Sequence, residues 1–297
     1  MKKFILFLAT VILLGINCKA QIFYKISGNG LEKPSYIFGT HHLAPLSILD
    51  QYNMDAYFDL VDQIVAELDL TQDQMAIAMA MQPYMLAPAD STLSKVISPE
   101  DFAEISETFK QYSPIPGVEL SMFEPMKPAV VTTNVTVGIM AKLLPDFNPE
   151  QQLDTYFMIT GADKDKEIIG LETPEFQAEQ LFNFTPISQQ AKDLVELLKD
   201  PEKNIDKAKE LNEAYMAGDL NAIEALKEDE DDDDFEQILV VERNREWLKK
   251  LPGIMADGPS LIVVGALHLP GEEGVLTGLR TQGYTITPIM PGQPVEH

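Results

Sequence analysis

The chain is poor in the residues from which compact catalytic and metal sites are most often built. It has one cysteine, one tryptophan and four histidines in 297 residues. The cysteine, Cys18, lies in a short amino-terminal segment whose removal leaves no thiol. That excludes disulfides, thiolate nucleophiles and thiolate metal ligands from the mature chain, and leaves any metal site to His, Asp, Glu and Asn. Cations are scarce too, with 22 Lys and Arg against 47 Asp and Glu and a net charge of −25 at pH 7. So acidic a surface opposes nucleic acid and anionic membranes and favours solubility or cationic partners. Beyond residue 20 no apolar run is long enough to cross a bilayer, so no transmembrane helix is expected in the mature chain. Short-period repeats are absent as well.

The first twenty residues read as a cleavable signal peptide: Lys2 and Lys3, an apolar run from Phe4 to Ile16, then "CKA" before Gln21. The expected product is secreted or periplasmic and starts near Gln21. Lipid attachment at Cys18 is the less favoured reading, because Asn17 stands where a small residue belongs. The remainder, 21–297, reads as a single domain, and a hydrophobic content of 45% is enough for a substantial core.

Along the chain, "IFYKISGN" alternates like a strand, "GNGLEKP" turns, and "SYIFG" is a second strand ended by Gly39. A helix and the short apolar run Ile64–Leu68 follow. Residues 72–144 change to helical spacing, with Ser98 placed to start the "PEDFAEISETF" helix, and read as a helical insertion. Within it Met75, Met79 and Met81 read as core filling. After it come a helix closed by Gly161, the strand "EIIGLE", and a helix opening at Thr173 and Pro174. The acidic run Glu228–Asp234 lacks the spaced ligands and glycine of a calcium loop and reads as a solvated loop. The end of the chain runs helix, strand "SLIVVG", helix, strand "YTITPI". Strands alternating with helices at both ends predict an α/β fold with a largely parallel central sheet.

Two phrases at opposite ends of the chain match: "FGTHHL" and "VGALHL", each an apolar strand followed by glycine, two residues and histidine. In a parallel sheet, ligands gather outside the carboxyl ends of the strands. His42 and His268 are therefore expected at one sheet edge, with Gly39 and Gly265 letting the backbone turn sharply or come close to a bound ligand. His41 has no counterpart in the second phrase and reads as incidental, and His297 is terminal. Glu67 and Glu172 each close an apolar strand, where an unpaired charge is costly. Beside two imidazoles, a carboxylate can serve as a third metal ligand or as a general base. On the "VVERNREWLKKL" helix, Asn244 falls on the apolar stripe and needs a buried partner, while Arg243 can reach an anion or a developing oxyanion.

Taken together, "GLEKPSYIFGTHH", "AELDLT", "QLDTYF", "GLETPEFQ", "VERN" and "VVGALHLPGEEGVL" resemble the TraB/GumN family, whose animal members include the Tiki Wnt proteases. The resemblance implies a fold related to the erythromycin esterase and haem-binding ChaN groups, with both GxxH motifs lining one cleft. By the Tiki branch it implies a metal-dependent, Tiki-like peptidase. Position by position, His42 and His268 match the motif histidines and Glu67 the motif glutamate, with Arg243, Asn244 and Glu172 at supporting positions. Two imidazoles and a carboxylate suit manganese, cobalt, iron or zinc. The expectation is an exported metal-dependent hydrolase acting on a peptide or small-molecule substrate. Its rival is a non-catalytic binding protein holding a peptide, haem or another small ligand in the same cleft.

Overall fold

The structure is a computed structural model that describes residues 21–203, 205–228 and 237–295. The expected signal peptide, Cys18, most of the acidic run and His297 lie outside the described residues. Six strands form one sheet: β1 (Phe23–Gly28), β2 (Ser35–Thr40), β3 (Gln63–Ala66), β4 (Glu167–Gly170), β5 (Ser260–Gly265) and β6 (Tyr284–Pro288), in the spatial order β4-β3-β5-β2-β1-β6. The four strands β4, β3, β5 and β2 are mutually parallel, and β1 is antiparallel to both of its neighbours. The antiparallel strand follows from local chemistry. Gly28, Asn29 and Gly30 all take positive φ, at 81°, 46° and 85°. Left-handed backbone at that turn sends the chain straight back on itself into a hairpin.

The central strands read as unbroken apolar runs because both of their faces are covered: all six residues of β2 and all four of β3 are buried. On one side sits an aromatic cluster built around Phe23, with Tyr57 edge-on at 4.7 Å and Phe38 at 5.4 Å between ring centroids. Each such buried ring contributes about 1.5–3 kcal/mol through the apolar area it removes from water. The helix Leu153–Asp163 lies on this side as well. It does not close at Gly161, as its sequence suggests. It runs two residues further, and the left-handed turn is made by Asp165, at φ 57°. Gly161 is there for packing, because a Cβ at that position would stand 2.4 Å from Ile64 Cγ1.

Residues 72–144 are helical as expected, with Ser98 capping Pro99–Tyr112 by accepting from the Asp101 amide. They build a separate apolar core in which Leu93, Ile105, Phe109, Val131, Val135 and Ile139 pack together. This core extends past Leu144, for Ala191, Leu194 and Leu198 of the later helix Ile187–Lys199 complete it. The methionine expectation fails in part. Met81 packs near Val130 and Phe182, but Met75 and Met79 face solvent at 67% and 68% exposure. The buried position of that helix is Ile77, between the two, so the methionines occupy its outer face. Among the described residues no helix is long and apolar enough to cross a membrane.

Candidate functional site

Register places the site. Thr40 pairs with Gly265 across β2 and β5, and Ala66 pairs with Val263 and with Gly170 across β3, β5 and β4. The carboxyl ends of four parallel strands are thus level, and each is followed by one candidate residue: His42, His268, Glu67 and Glu172. The pairing of β3 and β4 continues one step, since the amide of Glu172 donates to the carbonyl of Glu67 at 2.8 Å. Two carboxylates are therefore set side by side, which requires a cation between them.

Arg243 is that cation. It opens the helix Arg243–Asp257, where the spacing of Arg243, Trp247, Leu251 and Met255 puts it at the head of the buried stripe. Its Nε donates to Glu172 Oε1 at 2.7 Å and its Nη2 to Oε2 at 3.0 Å, a two-pronged pair. Nη2 also reaches Glu67 Oε2 at 2.5 Å, and Nη1 contacts both the Leu239 carbonyl at 3.1 Å and His268 Nε2 at 3.2 Å. The preceding stretch Gln237–Glu242 is a π-type turn, a wide geometry that turns the Leu239 carbonyl onto the guanidinium.

The two carboxylates differ in environment. Glu172 is 2% exposed, and its Oε1 also accepts from Trp247 Nε1 at 2.9 Å. Burial pushes its carboxyl above the ordinary range, against the pull of Arg243. Glu67 is 22% exposed and takes the Gly265 amide on Oε1 at 2.8 Å. Burial there is outweighed by His268, Arg243 and that amide, which hold its carboxyl below the ordinary value. Glu67 is the carboxylate that reaches the cavity, and Glu172 stands behind Arg243.

Asn244 fixes His268. Its Nδ2 donates to the carbonyls of His268 and Glu273, so its Oδ1 must accept, and His268 Nδ1 lies 2.7 Å away and carries a proton. The other ring nitrogen, Nε2, contacts Arg243 Nη1 at 3.2 Å and lies 3.9 Å from Glu67 Oε1. Trp247 stacks on the same ring with centroids 4.3 Å apart.

His42 stands at the mouth, with its side chain 75% exposed and its Nδ1 3.3 Å from Asp154 Oδ2. Asp154 in turn accepts from Thr40 Oγ1 at 2.7 Å. The hydrogen bond to Asp154 raises the His42 pKa above its ordinary value. His41, read as incidental in the sequence, points inward beside Tyr215, its ring centroid 5.2 Å away and its Nε2 buried without a partner. Burial, aided by His42, lowers its pKa to about 4, so it is neutral at physiological pH.

A cavity of about 210 Å³ is lined by His41, His42, Glu67, Arg243 and His268 with Tyr215. A second, of about 260 Å³, shares His42, Glu67, Leu239 and Arg243 with it and extends toward the helix Pro174–Asn183. The sequence-named residues His42, Glu67, Arg243 and His268 thus meet at one cleft. Glu172 and Asn244 support it from behind. Gly265 lines it, whereas Gly39 does not. Gly39 is buried where a Cβ would meet Leu269 Cδ1 at 2.7 Å and the Ala266 backbone at 3.0 Å, so its role is to let the two motif loops touch. Sequence reasoning gave no site role to His41, Tyr215 or Trp247, and marked Asp154 only through the "QLDTYF" block of the family resemblance. The His-His pair and the sole tryptophan were visible signals for two of them.

Among the described residues no three His, Cys, Asp or Glu side chains stand together in a group that could hold a metal ion. By type alone, carboxylates and imidazoles are the donors a divalent ion takes. Glu67 and Glu172 outnumber their one buried cation, Asp154 adds a further carboxylate at the rim, and imidazole nitrogens adjoin them. Arg243 already holds His268 Nε2 and Glu67 Oε2, so an ion and the guanidinium compete for those atoms.

Fold and site together define an α/β protein with a charged, histidine-bearing cleft at the carboxyl edge of a mainly parallel sheet. The family model described as TraB/PrgY/gumN matches residues 22–288, nearly the whole chain, and the chain belongs to that family. No curated protein and no solved structure matches it significantly.

Proposed function

We propose that the chain is a metal-dependent hydrolase of carbonyl substrates, peptides above all. The observation that carries this reading is that both GxxH histidines, Glu67 and Arg243 line one cavity although they come from opposite parts of the chain. His42, Glu67 and His268 are the residues to hold a divalent ion, which when bound supplies a polarised carbonyl and a water acidic enough to attack near neutral pH. Arg243, buried and permanently charged, steadies negative charge on the carbonyl oxygen through its field rather than by a direct bond, since its N–H groups are taken by Glu172, Glu67, the Leu239 carbonyl and His268. Glu67 is ionised at neutral pH and is the carboxylate of the pair facing the cavity, so ligation and proton acceptance both fall to it rather than to Glu172. Asn244 takes the Nδ1 side of His268 and leaves Nε2, which contacts Arg243 Nη1, as the nitrogen to turn toward an ion, and Asp154 orients His42 through Nδ1.

The test is cleavage of a peptide library by the chain from residue 21, supplied with manganese, cobalt, iron or zinc in turn. Cleavage abolished by chelator, by His42→Ala and by His268→Ala supports the reading. Full activity in either variant contradicts it. A second reading, capture of a peptide, haem or another small ligand without turnover, is favoured by the saturation of Glu172 and Arg243 in a network complete without any ion. Stoichiometric retention of a ligand with no cleavage decides for it.

A further inference from the structure

The second cavity is left over by that assignment. Its apolar walls are Leu68, Leu70, Met158 and Leu181, Gln152 and Asp154 are among its polar ones, and it abuts His42, Glu67 and Arg243 on the side away from His268. About 260 Å³ falls short of the roughly 300–1,000 Å³ of sites for drug-sized ligands and suits one side chain. Leu70 and Leu181 leave large apolar surfaces at 37% and 44% exposure, an unfavourable contact with water that a seated apolar group removes. Gln177, Gln180 and Leu181 belong to the helix Pro174–Asn183 at spacing i, i+3, i+4, so one helix face presents two amides and a leucine to the cavity. The Gln180 Oε1 is buried and has no hydrogen-bond partner. An unpaired acceptor of that kind carries a desolvation cost that a ligand's N–H relieves. Of its charged lining groups, Glu67 is engaged by Arg243, and Asp154 accepts from Thr40 through Oδ1 while its Oδ2, 3.3 Å from His42 Nδ1, is buried with no hydrogen bond.

We propose that this cavity is the subsite that selects the substrate, taking one uncharged apolar amino-acid side chain while Gln180 accepts a hydrogen bond from the neighbouring main-chain amide. The proposal rests on the hydrolase reading for the identity of the reacting carbonyl, which the shared wall of His42, Glu67 and Arg243 places next to the seated residue.

Binding is measured separately from turnover. The N-acetyl amides of leucine, lysine and aspartate are titrated into the chain from residue 21 by calorimetry or NMR. Wild type is expected to bind the leucine compound at least about tenfold more tightly than the charged ones, the scale of discrimination that an apolar pocket achieves. Leu181→Gln, on an exposed position where folding tolerates it, is expected to erase most of that preference. Gln180→Leu is expected to weaken leucine binding several-fold while keeping the rank order, since it removes a main-chain contact. Equal binding of the three amides, no binding of any, or an unaltered preference in Leu181→Gln overturns the subsite. Peptide cleavage by the same proteins keeps the two ideas apart. Apolar-selective binding without cleavage sinks the hydrolase reading alone, and cleavage indifferent to the side chain at every position sinks the subsite alone.

Discussion

Replacing Arg243 by methionine, an apolar side chain of similar length, strips Glu172 of its cation while leaving it 2% exposed. Breaking a buried ion pair from one side costs about 3–5 kcal/mol, because the surviving charge has neither solvent nor partner. For a domain of this size, that lowers the melting temperature by roughly 10 °C. The loss depends on pH with a definite sign. Burial already holds the Glu172 pKa above its ordinary value, and Arg243 is the main group opposing it. A carboxyl raised on folding costs stability at pH above its folded pKa, and that cost fades as pH falls through the folded pKa toward the unfolded one. The Arg243→Met deficit is therefore expected to be larger at pH 8 than at pH 5. The double variant Arg243→Met/Glu172→Gln is expected to recover most of it, since the buried charge is gone. Thermal unfolding followed by circular dichroism at both pH values is the assay. A deficit under about 1 kcal/mol at pH 8, or a double variant no more stable than Arg243→Met, refutes the view of Arg243 as the counter-charge of the cluster.

Other consequences follow from neighbouring groups. His41 is held neutral down to about pH 4, against an ordinary value of 6.5, so it supports the fold above pH 6.5 and loses that support as pH falls toward 4. His41→Phe is expected to flatten the acid arm of the stability curve by about 2 kcal/mol, allowing for partial solvent access, as read by urea unfolding at pH 4.5 and 7. Asp154→Asn removes the group that raises the His42 pKa, so the His42 ring resonances of ion-free protein are expected to titrate at lower pH than in wild type. An unchanged titration contradicts the Asp154 contact. Gly39→Ala drives a Cβ against the Ala266 backbone and is expected to cost about 1–3 kcal/mol, seen as a lowered urea midpoint.

The α/β class and all six strands were readable because apolar runs of strand length were bounded by glycine turns, as at Gly39 and Gly265. What the runs could not supply was direction. The antiparallel setting of β1 depends on left-handed backbone at Asn29 and its flanking glycines, a local turn choice that hydropathy does not register. Gly161 misled because glycine ends helices and also admits close packing, and here Ile64 fills the space a side chain would need. Met75 and Met79 misled because helical spacing says that residues share a face without saying which face is covered.

For the site, the repeated GxxH phrase was sufficient to bring His42 and His268 to one edge. The roles of Glu67 and Glu172 were not separable in sequence, since both close strands. Both hold the guanidinium, and only the placement of Arg243 and Trp247 shows that Glu67 faces the cavity while Glu172 is enclosed behind it. Asp154 and Tyr215 come from helices remote in sequence, and no spacing rule links them to the motif histidines.

In the proposed function His42 and His268, from opposite ends of the chain, hold one divalent ion together. The most direct measurement is the metal content of the purified chain from residue 21, after equilibration with manganese, cobalt, iron or zinc and removal of free ion. Wild type, His42→Ala and His268→Ala are to be compared. At least one of these metals is expected to be retained stoichiometrically by wild type and lost from both variants. Retention in either variant at the wild-type level contradicts it.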